Sequence, residues 1–171
     1  VVVNMKKLLG VFVLGLLWCN VGFAELKFPG LKGTEKFYIL VGNISEQGEQ
    51  ICKIKKEEIE ATVKKLITSN SKIKYVDMYN APNEDLLKIE VIRIGSTITA
   101  NEQICIGDID FDTWSVGEVE NSAGIKYYGN KLSYYGGELV ADYIKTFKTT
   151  FFLQLEKATK LFLHHWEIEN K

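Results

Sequence analysis

Three aspartates at alternate positions, Asp108, Asp110 and Asp112, are potential metal ligands. Carboxylate oxygens are ligands that Ca²⁺ prefers, and EF-hand loops begin with acidic side chains at this spacing. Such a loop also needs Gly at its sixth position and Glu at its twelfth. This chain has Thr113 and Val119 there, so the sequence does not predict an EF-hand.

The residues between the aspartates are apolar, and Ile109 and Phe111 share one parity with Cys105. This alternation is typical of a β-strand that buries one face and exposes the other. We therefore predict a solvated row of carboxylates along a strand. Three like charges on one face repel each other, and a bound cation that relieves this repulsion is the alternative.

The adjacent pair His164 and His165 contains both histidines of the chain. Successive helical residues point about 100° apart, so the two rings cannot readily share one ion. We interpret the pair as the exposed end of a helix, where the dipole favours cations. With no other histidine for a nucleophile pair and no phosphate-binding glycine motif, we predict no catalytic residue, no cofactor and no enzymatic activity.

Four tyrosines, Tyr127, Tyr128, Tyr134 and Tyr135, lie among glycines and form the most unusual composition in the chain. Tyrosine offers a large contact area at low entropic cost together with a hydroxyl group, which suits a recognition surface. The alternative is a hairpin or an edge strand that is stabilised by cross-strand aromatic pairs.

Cys52 and Cys105 are the cysteines beyond the N-terminal segment. They are too far apart for a CxxC redox pair, and a metal site would need two further ligands at suitable spacing. In an oxidising compartment a disulfide is the expected state, with free thiols as the alternative. Its closed loop would stabilise the fold by ~4 kcal/mol.

The N-terminus has the three regions of a secretory signal peptide. Met5-Lys6-Lys7 is positively charged, Leu8–Trp18 is apolar, and the small residues Gly22 and Ala24 precede Glu25. The apolar run is shorter than the roughly 20 residues that span a bilayer. We predict a translation start at Met5 and cleavage after Ala24.

Cys19 raises the alternative of a lipoprotein. Leu16 fits a lipobox, but Trp18 occupies the position before the cysteine, where a small residue is required. Soluble release into the periplasm or the medium is therefore expected. Residues 1–24 are the predicted signal peptide, and 25–171 are one predicted α+β domain.

The charge balance excludes some classes of partner. The chain has 21 Lys and Arg residues and 22 Asp and Glu residues, for a net charge of −1. Removal of the signal peptide also removes Lys6 and Lys7, which makes the remainder more acidic. Without a basic face, neither nucleic acid nor an anionic membrane surface is an expected partner. No second apolar run reaches membrane-spanning length.

Hydrophobic periodicity predicts the elements. A first strand covers Phe37–Val41, and a helix begins near Lys55 with Ile59, Val63, Leu66 and Ile67 on one face. Further strands are predicted over Lys72–Tyr79, Leu86–Ile94 and Gln103–Trp114. Val116–Tyr135 contains one turn signal at Asn121–Gly124 and a second at Gly129-Asn130, so one hairpin, two hairpins or a loop all stay open.

After Gly136-Gly137, a helix is predicted from about Glu138 to His165. Its apolar face comprises Val140, Ile144, Phe147, Phe151, Leu155, Ala158 and Phe162. The element order β-α-β-β-β(β)-α predicts an α+β two-layer sandwich: a mostly antiparallel sheet of four to six strands, an amphipathic helix and a long C-terminal helix.

In this order the chain resembles the small uncharacterised exported α+β proteins of bacteria. The residues that carry the resemblance are Phe37–Val41, Ile51–Ile67, Leu86–Ile94 and Gly136-Gly137 before the last helix. The resemblance implies the fold and an exported location, and it transfers no site residue.

We therefore expect a non-catalytic periplasmic or envelope protein that binds an unknown protein or envelope component. The alternative is a periplasmic carrier of a small ligand or a metal. A concave apolar pocket would favour the carrier, and a flat exposed aromatic patch would favour the interaction protein.

Overall fold

A computed structural model describes residues 30–77, 89–120 and 123–171, with the backbone alone for residues 119, 120 and 127–129. The predicted signal peptide lies outside this part of the chain. The described elements, in order, are β1 Lys36–Val41, α1 Glu46–Gln50, α2 Lys56–Thr68, β2 Lys74–Tyr75, β3 Ile89–Gly95, β4 Ile98–Ala100, β5 Ile104–Glu120, β6 Lys126–Tyr143 and α3 Ile144–Glu169.

The strands form one six-stranded sheet with β5 at its centre. One edge of β5 pairs antiparallel with β3 and then with β4, and the other edge pairs antiparallel with β6. At the far side, β1 lies parallel between β2 and β3. The sheet is therefore mixed but mostly antiparallel, and the α+β prediction is confirmed.

The core lies between one face of the sheet and the helices α2 and α3. From α2 it receives Ile59, Val63 and Ile67, as the periodicity predicted. The rings of Phe111 and Phe162 lie 5.3 Å apart at its centre. From α3, all the predicted residues between Phe147 and Phe162 are buried. Burial of these aromatic and branched side chains holds the two layers together.

A disulfide joins Cys52, just after α1, to Cys105 on the core face of β5, and the two Cα atoms are 6.1 Å apart. Both cysteines are fully buried. The predicted disulfide is thus present. The segment before Cys52 contains α1, where the Ser45 hydroxyl accepts a hydrogen bond from the Gly48 amide and caps the short helix.

The predicted start of the last helix at Glu138 is wrong, since β6 continues to Tyr143 and α3 begins at Ile144. Val140 is buried opposite Gly107 of β5, whereas Leu139 is exposed. A four-residue step from Val140 to Ile144 satisfies both a helical period and strand alternation. Pairing with β5 resolves this ambiguity in favour of the strand.

Of the alternatives left open for Val116–Tyr135, the structure has one hairpin, and the turn signal at Gly129-Asn130 does not form a turn. Both residues lie within β6, opposite Gly117 and Val116 of β5, so β5 and β6 form a single hairpin. Among the described residues, β3 pairs with β5 only as far as Trp114, and the hairpin continues past that point with no described strand beside it. We call this two-stranded extension, Ser115–Glu120 with Lys126–Lys131, the β5–β6 arm.

The predicted strand Lys72–Tyr79 forms pairs only at Lys74 and Tyr75, and its last two residues lie outside the described residues. The next predicted strand, Leu86–Ile94, corresponds to β3 over Ile89–Gly95.

Candidate functional site

The side of the sheet opposite the helices, which we call the outer face, carries all three aspartates of β5. Because Ile109 and Phe111 are in the core, alternation directs Asp108, Asp110 and Asp112 to the outer face. The predicted parity of this strand is confirmed. The prediction of a solvated row is wrong for Asp112, which is buried, because the three carboxylates lie in different environments.

Asp112 forms an ion pair with Arg93 of the neighbouring strand β3. The Arg93 Nε donates to both carboxylate oxygens, at 3.2 and 2.9 Å, and Nη2 donates to Oδ2. The hydrogen bonds to Asp112, and then its charge, raise the pKa of Arg93 above the ordinary value. The Asp112 side chain is only 4% exposed, whereas that of Arg93 is 54% exposed. A charge-assisted pair with several hydrogen bonds compensates the buried carboxylate.

Asp108 and Asp110 differ in their partners. The Asp108 Oδ1 accepts a hydrogen bond of 2.6 Å from the Thr97 amide, between β3 and β4. Asp110 lies in register between Gly95 of β3 and Gly137 of β6. Among the described residues, the Asp110 carboxylate has no hydrogen bond and no ion pair, although its charge adds a smaller contribution to the raised pKa of Arg93. The negative charge of Asp110 is therefore available to a binding partner.

The adjacent tyrosines Tyr134 and Tyr135 point to opposite faces. Tyr134 is 3% exposed and packs in the core, with its ring centroid 5.5 Å from that of Phe162. Burial raises the pKa of Tyr134. Tyr135 is 54% exposed on the outer face, directly opposite Asp112. The side chains of Tyr127 and Tyr128 lie outside the described residues, so only Tyr135 of the four is placed on a surface.

The structure thus joins two groups that the sequence presented separately, the aspartate row and the tyrosines. It adds Arg93, which sequence reasoning missed. The sequence did contain one indication of Arg93. It is the only arginine in the chain and stands between two apolar residues of a strand. We call Arg93, Asp110, Asp112, Tyr135 and Leu139 the outer-face patch.

Apolar side chains surround these charges. Leu139, within the patch, is 77% exposed, and the other exposed apolar side chains of β1, β5 and β6 on this face are Leu40, Ile106, Leu132 and Tyr143. Tyrosine, arginine and aliphatic side chains around compensated charges are typical of protein–protein interfaces. The patch is a broad surface of the sheet.

A second polar cluster lies on the helix side of the sheet. Glu90 is 2% exposed, and Thr113 and Ser133 are fully buried beside it. Burial raises the pKa of Glu90, and the hydroxyls of Ser133, Thr113 and Ser115 oppose this rise to a smaller extent. Within the described part of the chain, Glu90 Oε1, Thr113 Oγ1 and Ser133 Oγ complete no hydrogen bond. No sequence signal distinguished Glu90 from a surface residue of β3.

The histidines do not form a metal site with each other. His164 is exposed, and the ring of His165 lies 5.6 Å from that of Tyr134. Within the described ranges, no three His, Cys, Asp or Glu side chains are grouped so that they would hold a metal ion.

No protein-family model matches the chain, and no curated protein matches it in sequence. No known activity is therefore transferred to the outer-face patch by similarity.

Proposed function

We propose that the protein is a non-catalytic exported protein that binds another protein through the outer face of its sheet. The observation that carries this proposal is the outer-face patch, in which the exposed Tyr135 and Leu139 adjoin the Arg93–Asp112 ion pair. Tyrosine and arginine are the residues that most often dominate binding energy at interfaces. A broad surface of this kind suits a protein partner better than a small ligand, which needs a concave site.

The β5–β6 arm supports a role in binding or assembly. An isolated two-stranded ribbon is at best marginally stable in water. In the β5–β6 arm the side chain of Val116 is 38% exposed, and that of Ile125, just before the second strand of the arm, is 61% exposed. A partner that covers the arm together with the outer-face patch would remove this apolar surface from water.

The disulfide supports export. Disulfides persist in oxidising compartments and are rare in the cytosol. The buried Cys52–Cys105 pair fits the signal peptide pattern that precedes Glu25 in the sequence. We propose the periplasm or envelope as the location. No helix in the described part of the chain is long and apolar enough to cross a membrane.

Site-specific photo-cross-linking in the exporting cells tests the proposal. The photoreactive residue p-benzoylphenylalanine replaces Tyr135 in one variant and Lys160 in a control. Lys160 belongs to α3, and its side chain is 63% exposed. We expect an adduct of discrete mass at position 135 that is absent at position 160. No adduct at position 135, or the same adduct at both positions, would refute binding through the outer face.

A small-ligand carrier is the second candidate, and the unpartnered cluster around Glu90 favours it. Buried polar atoms without partners occur where a bound molecule or ordered water completes their hydrogen bonds. Native mass spectrometry of the exported protein would then show a retained small molecule that Glu90→Gln releases. A mass equal to that of the polypeptide alone would argue against the carrier.

A further inference from the structure

On the outer face, the strands on both sides of Asp110 have a glycine, and therefore no side chain, opposite it. Gly95 and Gly137 stand directly opposite Asp110 on the two neighbouring strands. A Cβ at Gly95 would lie 3.4 Å from the Asp110 Cβ, and a Cβ at Gly137 would lie 3.5 Å from Oδ1. A side chain at either position would therefore be in van der Waals contact with Asp110 and would narrow the space beside its carboxylate. We call this feature the Asp110 slot.

The backbone does not require glycine at these two positions. Among the described glycines, only Gly33 and Gly124 have a positive φ. The feature that distinguishes Gly95 and Gly137 is thus the missing side chain. Glycine in the interior of a strand often marks a place where a ligand or another chain approaches closely.

The charges around the Asp110 slot indicate which chemical group would bind in it. Asp112 is neutralised by Arg93, and Asp108 accepts a backbone hydrogen bond. Asp110 between them forms no hydrogen bond or ion pair in the described chain, and only the more distant charge of Arg93 acts on it. The local excess of negative charge complements one cation. A metal ion would need several further oxygen ligands, and one accessible carboxylate does not supply them.

The walls of the slot fit a long cationic side chain. The Tyr135 hydroxyl lies 3.8 Å from the position of a Gly137 Cβ, and Leu139 is exposed one step along the same face. Lysine and arginine bury their methylene stems on apolar surface while the charged end reaches a carboxylate. We infer that a Lys or Arg side chain of a different protein enters the Asp110 slot, an inference that rests on the proposed function.

The cross-linking assay at position 135 tests this inference with a second substitution. Asp110→Asn removes the charge and keeps the shape, and Glu102→Gln is the matched control, because Glu102 is an exposed acidic residue before β5. We expect Asp110→Asn to lower the adduct yield by up to about fivefold, the effect of one accessible ion pair. Gly95→Ala, which narrows the slot, should also lower it, and Glu102→Gln should not.

The outcomes separate the two proposals. An unchanged yield with Asp110→Asn would overturn the inference and leave the proposed function standing, whereas no adduct in the parent would refute both. An adduct with twice the mass of the chain would identify a second copy as the occupant and would overturn the commitment to a different protein.

A direct probe uses two peptides, acetyl-Leu-Arg-Leu-amide and its citrulline analogue, which has nearly the same shape without the charge. In amide correlation spectra of the intact exported protein, the arginine peptide should shift the signals of Gly95 and Gly137. The shift should weaken with salt and with Asp110→Asn. Equal shifts from both peptides, or none, would overturn the inference, and the dispersion of the spectra shows that each variant is folded.

Discussion

Removal of Arg93 should destabilise the protein more than removal of its partner Asp112, although both substitutions break the same ion pair. The two side chains differ in exposure, at 54% for Arg93 and 4% for Asp112. Arg93→Met leaves a buried carboxylate without a counter-charge. This should cost about 3 kcal/mol, the low end for breaking a buried pair, because solvent reaches the site from the Arg93 side.

Asp112→Asn leaves a half-exposed guanidinium that water can solvate, and the new amide still accepts a hydrogen bond. Its cost should be about 1 kcal/mol. In Arg93→Met the penalty should also shrink as the pH falls and the unpaired carboxylate becomes protonated. Denaturation in urea, followed by far-UV circular dichroism at pH 7 and pH 4, measures both effects. Equal costs at pH 7, or a larger cost for Asp112→Asn, would refute this assignment of the buried charge.

Three further predictions concern the core. Burial raises the pKa of Glu90, so the stability tied to its neutral form is present below the ordinary carboxyl pKa and is lost as the pH rises through the raised value. Glu90→Gln should therefore raise the urea midpoint at pH 8 and not at pH 4, and a lower midpoint at pH 8 would contradict this. Phe151 is fully buried, and Phe151→Ala should cost roughly 3–5 kcal/mol. In the control Lys160→Ala, the free energy of unfolding measured in urea should change by less than about 0.5 kcal/mol. Similar losses of stability in Phe151→Ala and Lys160→Ala would show that α3 does not form the core. Replacing Cys52 and Cys105 together by Ala should lower stability by ~2–4 kcal/mol, measured by thermal unfolding against the oxidised parent, and an unchanged midpoint would show that the disulfide adds nothing.

The outer-face patch was only partly readable from the sequence. The alternation in β5 identified the face of the sheet on which the three carboxylates lie, and the density of tyrosines identified the segment around Tyr135. The pairing of Arg93 with Asp112 and the two glycines beside Asp110 were not readable. They depend on the register of β3 and β6 against β5, and residues that face each other across strands are not related by a local spacing.

Local periodicity determined which faces of α2, α3 and β5 are buried, because side chains repeat about every 3.6 residues in a helix and every two in a strand. The disulfide was predicted from the two cysteines and the signal peptide pattern, because thiols of exported proteins are usually oxidised. Tertiary structure alone decided that Val140 belongs to a strand and that Gly129 lies within one. The same is true of the choice between Tyr134 and Tyr135 for the core. Adjacent strand residues always point to opposite faces, and the register of β6, which shifts next to Thr113, determines which of the two is buried.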